Sequence, residues 1–306
     1  MHRTSFFIFC GALIYGNKGM MWCWLVQARQ VLVLALLLLL SRQVCLYASQ
    51  PPVIVFGIVP QHASVELARQ WGPFLTYLEG KTGLSLVFET ATDIPTFEER
   101  LDAGRYDVVY CNPADYVQRS SVPGYRAFAR EAGVRLQGLV VVPRDSPVTR
   151  LDELAGATLA FPAPLAFAAT LLPLAHFKTQ GLAVTPSYVA THDSVYMAVA
   201  RGYFPAGGGI RRTFDNSPPD IRQTLRIIWE SPPYTPHPLA AHPRVPAEAV
   251  ARLRAALVAM GNDAAGQEIL ARMHFSGFEA GVDADWDDVR QLFGLPPAGS
   301  RQTGLP

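Results

Sequence analysis

From residue 53 onward the chain alternates short, wholly apolar runs with stretches in which apolar residues recur every three or four positions. Val53 to Val59 reads as a buried strand, after which Leu67, Trp71, Leu75 and Leu78 share one helical face. Gly80 and Gly83 are expected to end that helix, and Leu84 to Glu89 forms the next strand. Thr96 and Glu99 read as a capping box that opens a helix stopping near Gly104, with strand Val108 to Cys111 directly behind it. This rhythm predicts an α/β fold whose mostly parallel sheets are covered by helices, with ligands beyond the carboxyl ends of the strands.

A second set follows. Leu136 to Val142 reads as a long strand ending at Pro143, and a short helix around Leu151 to Leu154 leads into strand Thr158 to Phe161. A helix through Leu171 to Phe177, a strand near Tyr188 and Val189, a helix from Ser194 to Arg201, a turn at Gly207-Gly208-Gly209 and a strand at Leu225 to Trp229 complete it. Prolines between Ser231 and Pro246 interrupt every helical option, so this stretch reads as the crossing back to the first half. Helices Pro246 to Met260 and Ala264 to Met273 then finish that half. The expected organisation is a leader over 1–48, lobe 1 over 49–140 plus 236–306, and lobe 2 over 141–235.

Charge changes the picture only when it is split along the chain. Over all 306 residues, 26 basic and 25 acidic side chains give a formal charge of +1, which offers no footprint for nucleic acid. The first 48 residues hold Arg3, Lys18, Arg29 and Arg42 and no acid, so the remainder carries a net charge of −3. Within them, Val31 to Leu40 is uninterrupted apolar sequence; as a helix it would reach about 15 Å, half of a bilayer core. Basic residues before it and Ala48-Ser49 after it match a secretory signal peptide cleaved near Ala48. An uncleaved anchor that also uses the upstream run Phe6 to Tyr15 is the alternative, and Met20 or Met21 would make a tidier start. Either way the globular part is expected outside the cytoplasm, in the periplasm. Cys10, Cys23 and Cys45 lie in the leader, which leaves Cys111 with no partner for a disulfide.

Catalytic signatures are missing. Thr191-His192-Asp193-Ser194 holds the residue types of a hydrolytic triad, but neighbours in one element cannot face each other, and neither Gly-x-Ser-x-Gly nor Ser-x-x-Lys occurs. Histidines 62, 176, 192, 237, 242 and 274 form no metal-binding spacing, and His237 and His242 are expected at a surface or hinge. Gly80-Lys81 lacks the glycine that a phosphate-cradling loop needs. The chain is therefore expected to be neither an enzyme nor a holder of a cofactor. Anion capture by backbone amides remains, at two strand-to-helix turns: Tyr110 to Tyr116, with Pro113 at a first helical position, and Phe161 to Thr170.

Gly57-Ile58-Val59-Pro60, the run Trp71 to Gly83, Gly104 to Val108 leading into Asn112-Pro113-Ala114-Asp115-Tyr116-Val117, and His192-Asp193-Ser194-Val195 before Ala200-Arg201-Gly202 occur in a telling order. With them the chain resembles the PhnD-like substrate-binding proteins of phosphate, phosphite and phosphonate ABC importers, over nearly all of its mature length. The resemblance implies a two-lobed type II periplasmic-binding-protein fold that closes on a small anion and delivers it, as a monomer, to a membrane permease. A ligand-sensing partner of a signalling system is the alternative. It places Gln61 and His62, Asn112 and Tyr116, and His192 at the cleft, with the amides of Phe167, Ala168, Ala169 and Thr170 gripping the ligand. His192 is expected to switch its charge near its reference pKa of about 6.5, and Arg211 and Arg212 to add positive charge.

The chain also departs from the family pattern. Its Ser/Thr-rich anion-binding turn becomes Ala166-Phe167-Ala168, Ala169 stands where glycine is usual, and an acidic position becomes Pro205. With the hydroxyls gone, other donors must hold the ligand, and Phe167 suggests either a ligand with a larger organic part or one that is not a phosphonate.

Overall fold

The computed structural model describes residues 53–300 together with residues 29, 30, 32 and 33, which are helical. The leader, its apolar run and its cysteines otherwise lie outside the described residues. Among the described residues, no helix is long and apolar enough to cross a membrane.

Two mixed sheets carry the fold. The first has the order β11-β4-β10-β3-β1-β2, built from β1 (Val53–Ile58), β2 (Ser85–Glu89), β3 (Val108–Tyr110), β4 (Arg126–Glu131), β10 (Pro238–Ala241) and β11 (Phe278–Ala280). The second, in the order β7-β6-β8-β5-β9, contains β5 (Gly138–Pro143), β6 (Thr158–Phe161), β7 (Thr185–Tyr188), β8 (Gly207–Ile210) and β9 (Leu225–Glu230). The pairings make four of six strands in the first sheet and four of five in the second run one way. The two-lobed α/β architecture expected from the sequence is present. Strand β4 has no apolar run to announce it, because Arg126 and Arg130 interrupt it.

The chain crosses between the sheets twice, at residues 132–137 and 231–237. The two crossings pair with each other: Leu136 N–H donates to Tyr234 O at 2.8 Å and Tyr234 N–H donates to Leu136 O at 2.9 Å. A short two-stranded hinge thus joins the lobes.

Local chemistry fixes the helix starts. Helix α1 (Ser64–Thr82) buries Leu67, Trp71, Phe74, Leu75 and Leu78 on one face and stops at Gly83, which takes the left-handed conformation; Gly80 lies inside it. Helix α2 (Ile94–Asp102) is capped by Asp93, whose carboxylate accepts from Thr96 N–H, so the Thr96–Glu99 capping box expected from the sequence does not form. Asn112 caps α3 (Pro113–Arg119) by accepting from Asp115 N–H at 2.9 Å, with Pro113 in the first turn as expected. In the second lobe, α4 (Leu172–Thr179) follows a π-helical turn over Phe167–Leu171. Helix α5 starts earlier than expected, at His192 rather than Ser194, and runs to Ala200 with Thr191 as its cap.

Gly207-Gly208-Gly209 is not the expected turn but the body of β8, a central strand. Tight approach explains it. A Cβ on Gly207 would strike Val195, one on Gly208 the Ala169 carbonyl and the Phe161 ring, and one on Gly209 the Tyr196 hydroxyl. Gly138 on β5 leaves room in the same way for the Ala168 carbonyl.

Candidate functional site

The lobes meet face to face. Ala163, Ala166 to Ala169, Leu172 and Ile210 of the second lobe belong to the same buried apolar cluster as the core of the first. His192 N–H donates to Gln61 O at 3.2 Å across the interface, and His62 Nδ1 lies 2.9 Å from the Asp193 carboxylate. Arg212, at the start of the short helix α6 (Arg211–Asp215), reaches into the first lobe, pairs with the buried Glu131 and covers the Phe275 ring at 4.1 Å.

At the centre of this interface lies a cavity of about 10 Å³, the scale of one water. Its polar side chains are Gln61 at the exit of β1, Asn112 at the exit of β3, His192 at the start of α5 and His237 at the start of β10. Phe167, Ile94, Val59 and Ile210 supply apolar wall, with Ala166, Ala168 and Ala169 between them. The strand-exit position is the one that parallel topology predicts.

Two glycines orient the π-helical turn. Gly138 and Gly208 let the Ala168 and Ala169 carbonyls press onto β5 and β8; the N–H groups at the other ends of those two peptides belong to Ala169 and Thr170. Thr170 N–H and Leu171 N–H both return to Ala166 O, at 2.8 and 3.2 Å, whereas Phe167, Ala168 and Ala169 precede the first bond the turn can make to itself. Phe167, Ala168 and Ala169, which line the cavity, are thus the residues of the turn whose N–H groups have no intrahelical acceptor. Asn112 is tied by its own cap and donates its side-chain amide to Asp115.

Both wall histidines are neutral. Burial drives the pKa of His192 down to about 3, with the nearby His62 adding to the effect, and the expected charge switch near neutrality does not occur. His237, expected at a surface or hinge, is buried and stacked on Tyr110 at 5.1 Å; burial, then Arg212, hold its pKa at about 3. Gln61 donates its side-chain amide to His237 Nε2 at 3.0 Å, which assigns the His237 proton to Nδ1. His192 Nδ1 lies 3.1 Å from Thr213 Oγ1, which leaves Nε2 for the cavity.

Of the residues singled out in the sequence, Gln61, Asn112, Phe167, Ala168, Ala169 and His192 surround this cavity, and His62, Tyr116 and Thr170 do not. The His62 ring turns away to Asp193. The Tyr116 hydroxyl donates to Asp283 and accepts from Ala127 N–H, while its ring packs on Trp286. Thr170 is fully buried behind the turn, and its hydroxyl has no partner among the described residues. His237 escaped sequence reasoning because its flanking prolines read as a linker. The only signal for it was its place at the return into the first lobe.

A larger cavity of about 570 Å³ lies beyond the His62–Asp193 pair, between α1 and α5. Glu66 and Asp193 line it, and its one guanidinium, Arg69, is bound to Glu66 at 2.7 Å, so its electrostatics do not favour an anion. The neutral polar side chains and the start of the π-helical turn line the inner cavity instead.

Residues 56–286 match the family model of the ABC transporter phosphonate periplasmic substrate-binding proteins. The chain belongs to that family. Among relatives of this phosphonate-binding family, the phosphate-import protein PhnD of Mycolicibacterium smegmatis is 22% identical over 283 residues, covering 79% of this chain and 85% of that protein. A binding-protein component of an ABC phosphonate transporter from Pseudomonas aeruginosa superposes with a TM-score of 0.73 at 21% identity, covering 80% of this chain and 86% of that one. PhnD1 of Prochlorococcus marinus, solved with methylphosphonate, gives a TM-score of 0.71 at 15% identity, covering 79% and 97%. At these identities the two superpositions establish the shared two-lobed fold.

Proposed function

We propose that this chain is the solute-binding component of an ABC importer, in which lobe 1 (49–140 and 236–306) and lobe 2 (141–235) close by bending at the Leu136–Tyr234 hinge. The ligand is a small oxyanion. Gln61, Asn112 and His192 hold it together with the amides of Phe167, Ala168 and Ala169, and the closed monomer presents it to a membrane permease. Residues 1–48 act as the export leader that brings the chain to the periplasm.

The observation that carries this reading is that four neutral polar side chains and three turn residues whose N–H groups have no intrahelical acceptor line one cavity between the lobes. Preorganised amides stabilise an anion without a reorganisation cost, and hydrogen bonds to a charged partner contribute roughly 1.5–3 kcal/mol each. The methylphosphonate held by the Prochlorococcus relative supports an oxyanion ligand. The transport family favours delivery of cargo over the sensing alternative.

Calorimetric titration with phosphate, phosphite, hypophosphite and methylphosphonate tests it. At least one should give saturable one-to-one heat that is lost in the Gln61→Leu/His192→Leu double variant while the fold persists. No heat with any of them would refute the proposal.

A further inference from the structure

The outer cavity, about 570 Å³ between α1 and α5, shares no lining residue with the inner one. We propose that it is a second ligand site, for a small organic cation that carries an ammonium or guanidinium head on an apolar body and touches both lobes at once.

Size and position come first. The volume falls in the range of roughly 300–1,000 Å³ typical of ligand pockets, which favour the places where two domains meet. One wall is the start of α1, with Glu66, Arg69 and Gln70; the other is α5 and the segment 216–221. An occupant therefore contacts lobe 1 on one side and lobe 2 on the other.

The polar groups on the walls set the sign of the charge. Two carboxylates, Glu66 and Asp193, face one guanidinium, Arg69. The donors are committed: Arg69 gives Nε and Nη2 to the two Glu66 oxygens at 2.9 and 2.7 Å, and Gln70 gives its side-chain amide to the same carboxylate at 2.7 Å. The acceptors are not. The Asp193 carboxylate receives one His62 N–H for its two oxygens, which leaves it lone pairs to spare. Asn216 Oδ1 is buried on the same wall with no partner among the described residues. An acceptor surplus that includes a carboxylate calls for a ligand rich in donors and positively charged.

The rest of the lining is apolar. Met197, Pro218, Pro219 and Ile221 form it, and Met197 is 39% exposed on a helix that buries Val195, Tyr196 and Val199. Its unbranched thioether adapts to the body of a ligand.

Amide NMR of the purified protein, titrated with benzylammonium, benzyl alcohol and benzoate, decides it, because the three share a body and differ in charge. Benzylammonium is expected to shift the amides of Ser194, Met197 and Asn216 saturably and to bind at least about tenfold more tightly than benzoate. Added salt should weaken it. Asp193→Asn should cost benzylammonium about fivefold to tenfold and leave benzyl alcohol unchanged, a difference that a loosened fold would not produce. Met197→Lys, which brings an ammonium into the cavity from an exposed position, should abolish benzylammonium binding. Benzoate or benzyl alcohol binding as tightly as benzylammonium, an unchanged benzylammonium affinity in Asp193→Asn, shifts that survive Met197→Lys, or no saturable shift from any probe overturns the inference. No oxyanion enters this experiment, so its failure leaves the importer reading intact, and calorimetric silence from the oxyanions leaves this site intact.

Discussion

His62 Nδ1 and the Asp193 carboxylate, 2.9 Å apart, join the loop after β1 in one lobe to the first turn of α5 in the other. Next to them, the backbone of His192 donates to Gln61 O. Two adjacent residues of α5 thus grip two adjacent residues of the opposite lobe; Gln61 and His192 border the inner cavity, and the His62–Asp193 pair beside them is termed the gate. On the proposed function, closure and ligand contact share the same short segments.

Asp193→Asn removes the charged half of the gate. With side chains 9% and 32% exposed, the pair is partly screened and is worth about 1 kcal/mol or less. Ligand affinity is expected to fall about threefold to fivefold with little change in the unfolding midpoint. Calorimetry beside a denaturant titration checks this, and an unchanged affinity would show that the gate does not contribute to closure.

Buried His192 and His237 predict a pH dependence of stability. Each has a folded-state pKa of about 3 against an ordinary value of about 6.5, so the unfolded chain binds more protons between those limits. Their contribution is fully present above pH 6.5 and is lost as pH falls toward 3, by about 2 kcal/mol for each histidine at pH 5. Asp115 and Glu98, whose carboxyls burial pushes upward, act in the opposite direction. The histidine share is isolated as the difference between wild type and His237→Gln in chemical denaturation at pH 7 and pH 5. The variant should show the shallower slope.

Gly208→Ala tests the seating of the π-helical turn. The added methyl group meets the Ala169 carbonyl and the Phe161 ring, so either β8 or the turn must move. A loss of about 3 kcal/mol is expected. If the variant remains folded, anion affinity should fall with it, because Phe167 to Ala169, which line the cavity, are displaced.

Arg212→Leu leaves the Glu131 carboxylate buried, with Ser276 N–H and no cation to answer it among the described residues. Breaking one half of such a pair costs about 3 kcal/mol or more. The Arg212→Leu/Glu131→Gln double variant should recover most of that loss while still lacking the interlobe ion pair. Thermal unfolding reads the first effect. Small-angle scattering reads the second, as a larger radius of gyration without ligand.

Much of this was legible in the residues. Asn112-Pro113 announces a capped helix at a strand exit, and Gln61 follows a run of apolar residues that can only be a central strand, so both were found at the cavity. Sequence failed where a tertiary neighbour decides. A run of three glycines reads as a turn until the Ala169 carbonyl and the Tyr196 hydroxyl are seen lying where side chains would be. Arg130 hid β4 because its charge is answered by Glu279 and Asp285 from distant segments. Tyr116 has the right position for a ligand contact, but Asp283, far along the chain, draws its hydroxyl elsewhere.

A crystal structure grown with the most tightly titrating oxyanion addresses the placement of the ligand most directly. Its oxygens should lie about 3 Å from the amides of Ala168 and Ala169, from Gln61 Nε2 and from His192 Nε2, with both lobes in contact around it. Ligand density confined to the outer cavity between α1 and α5, with the inner one sealed, would contradict the account.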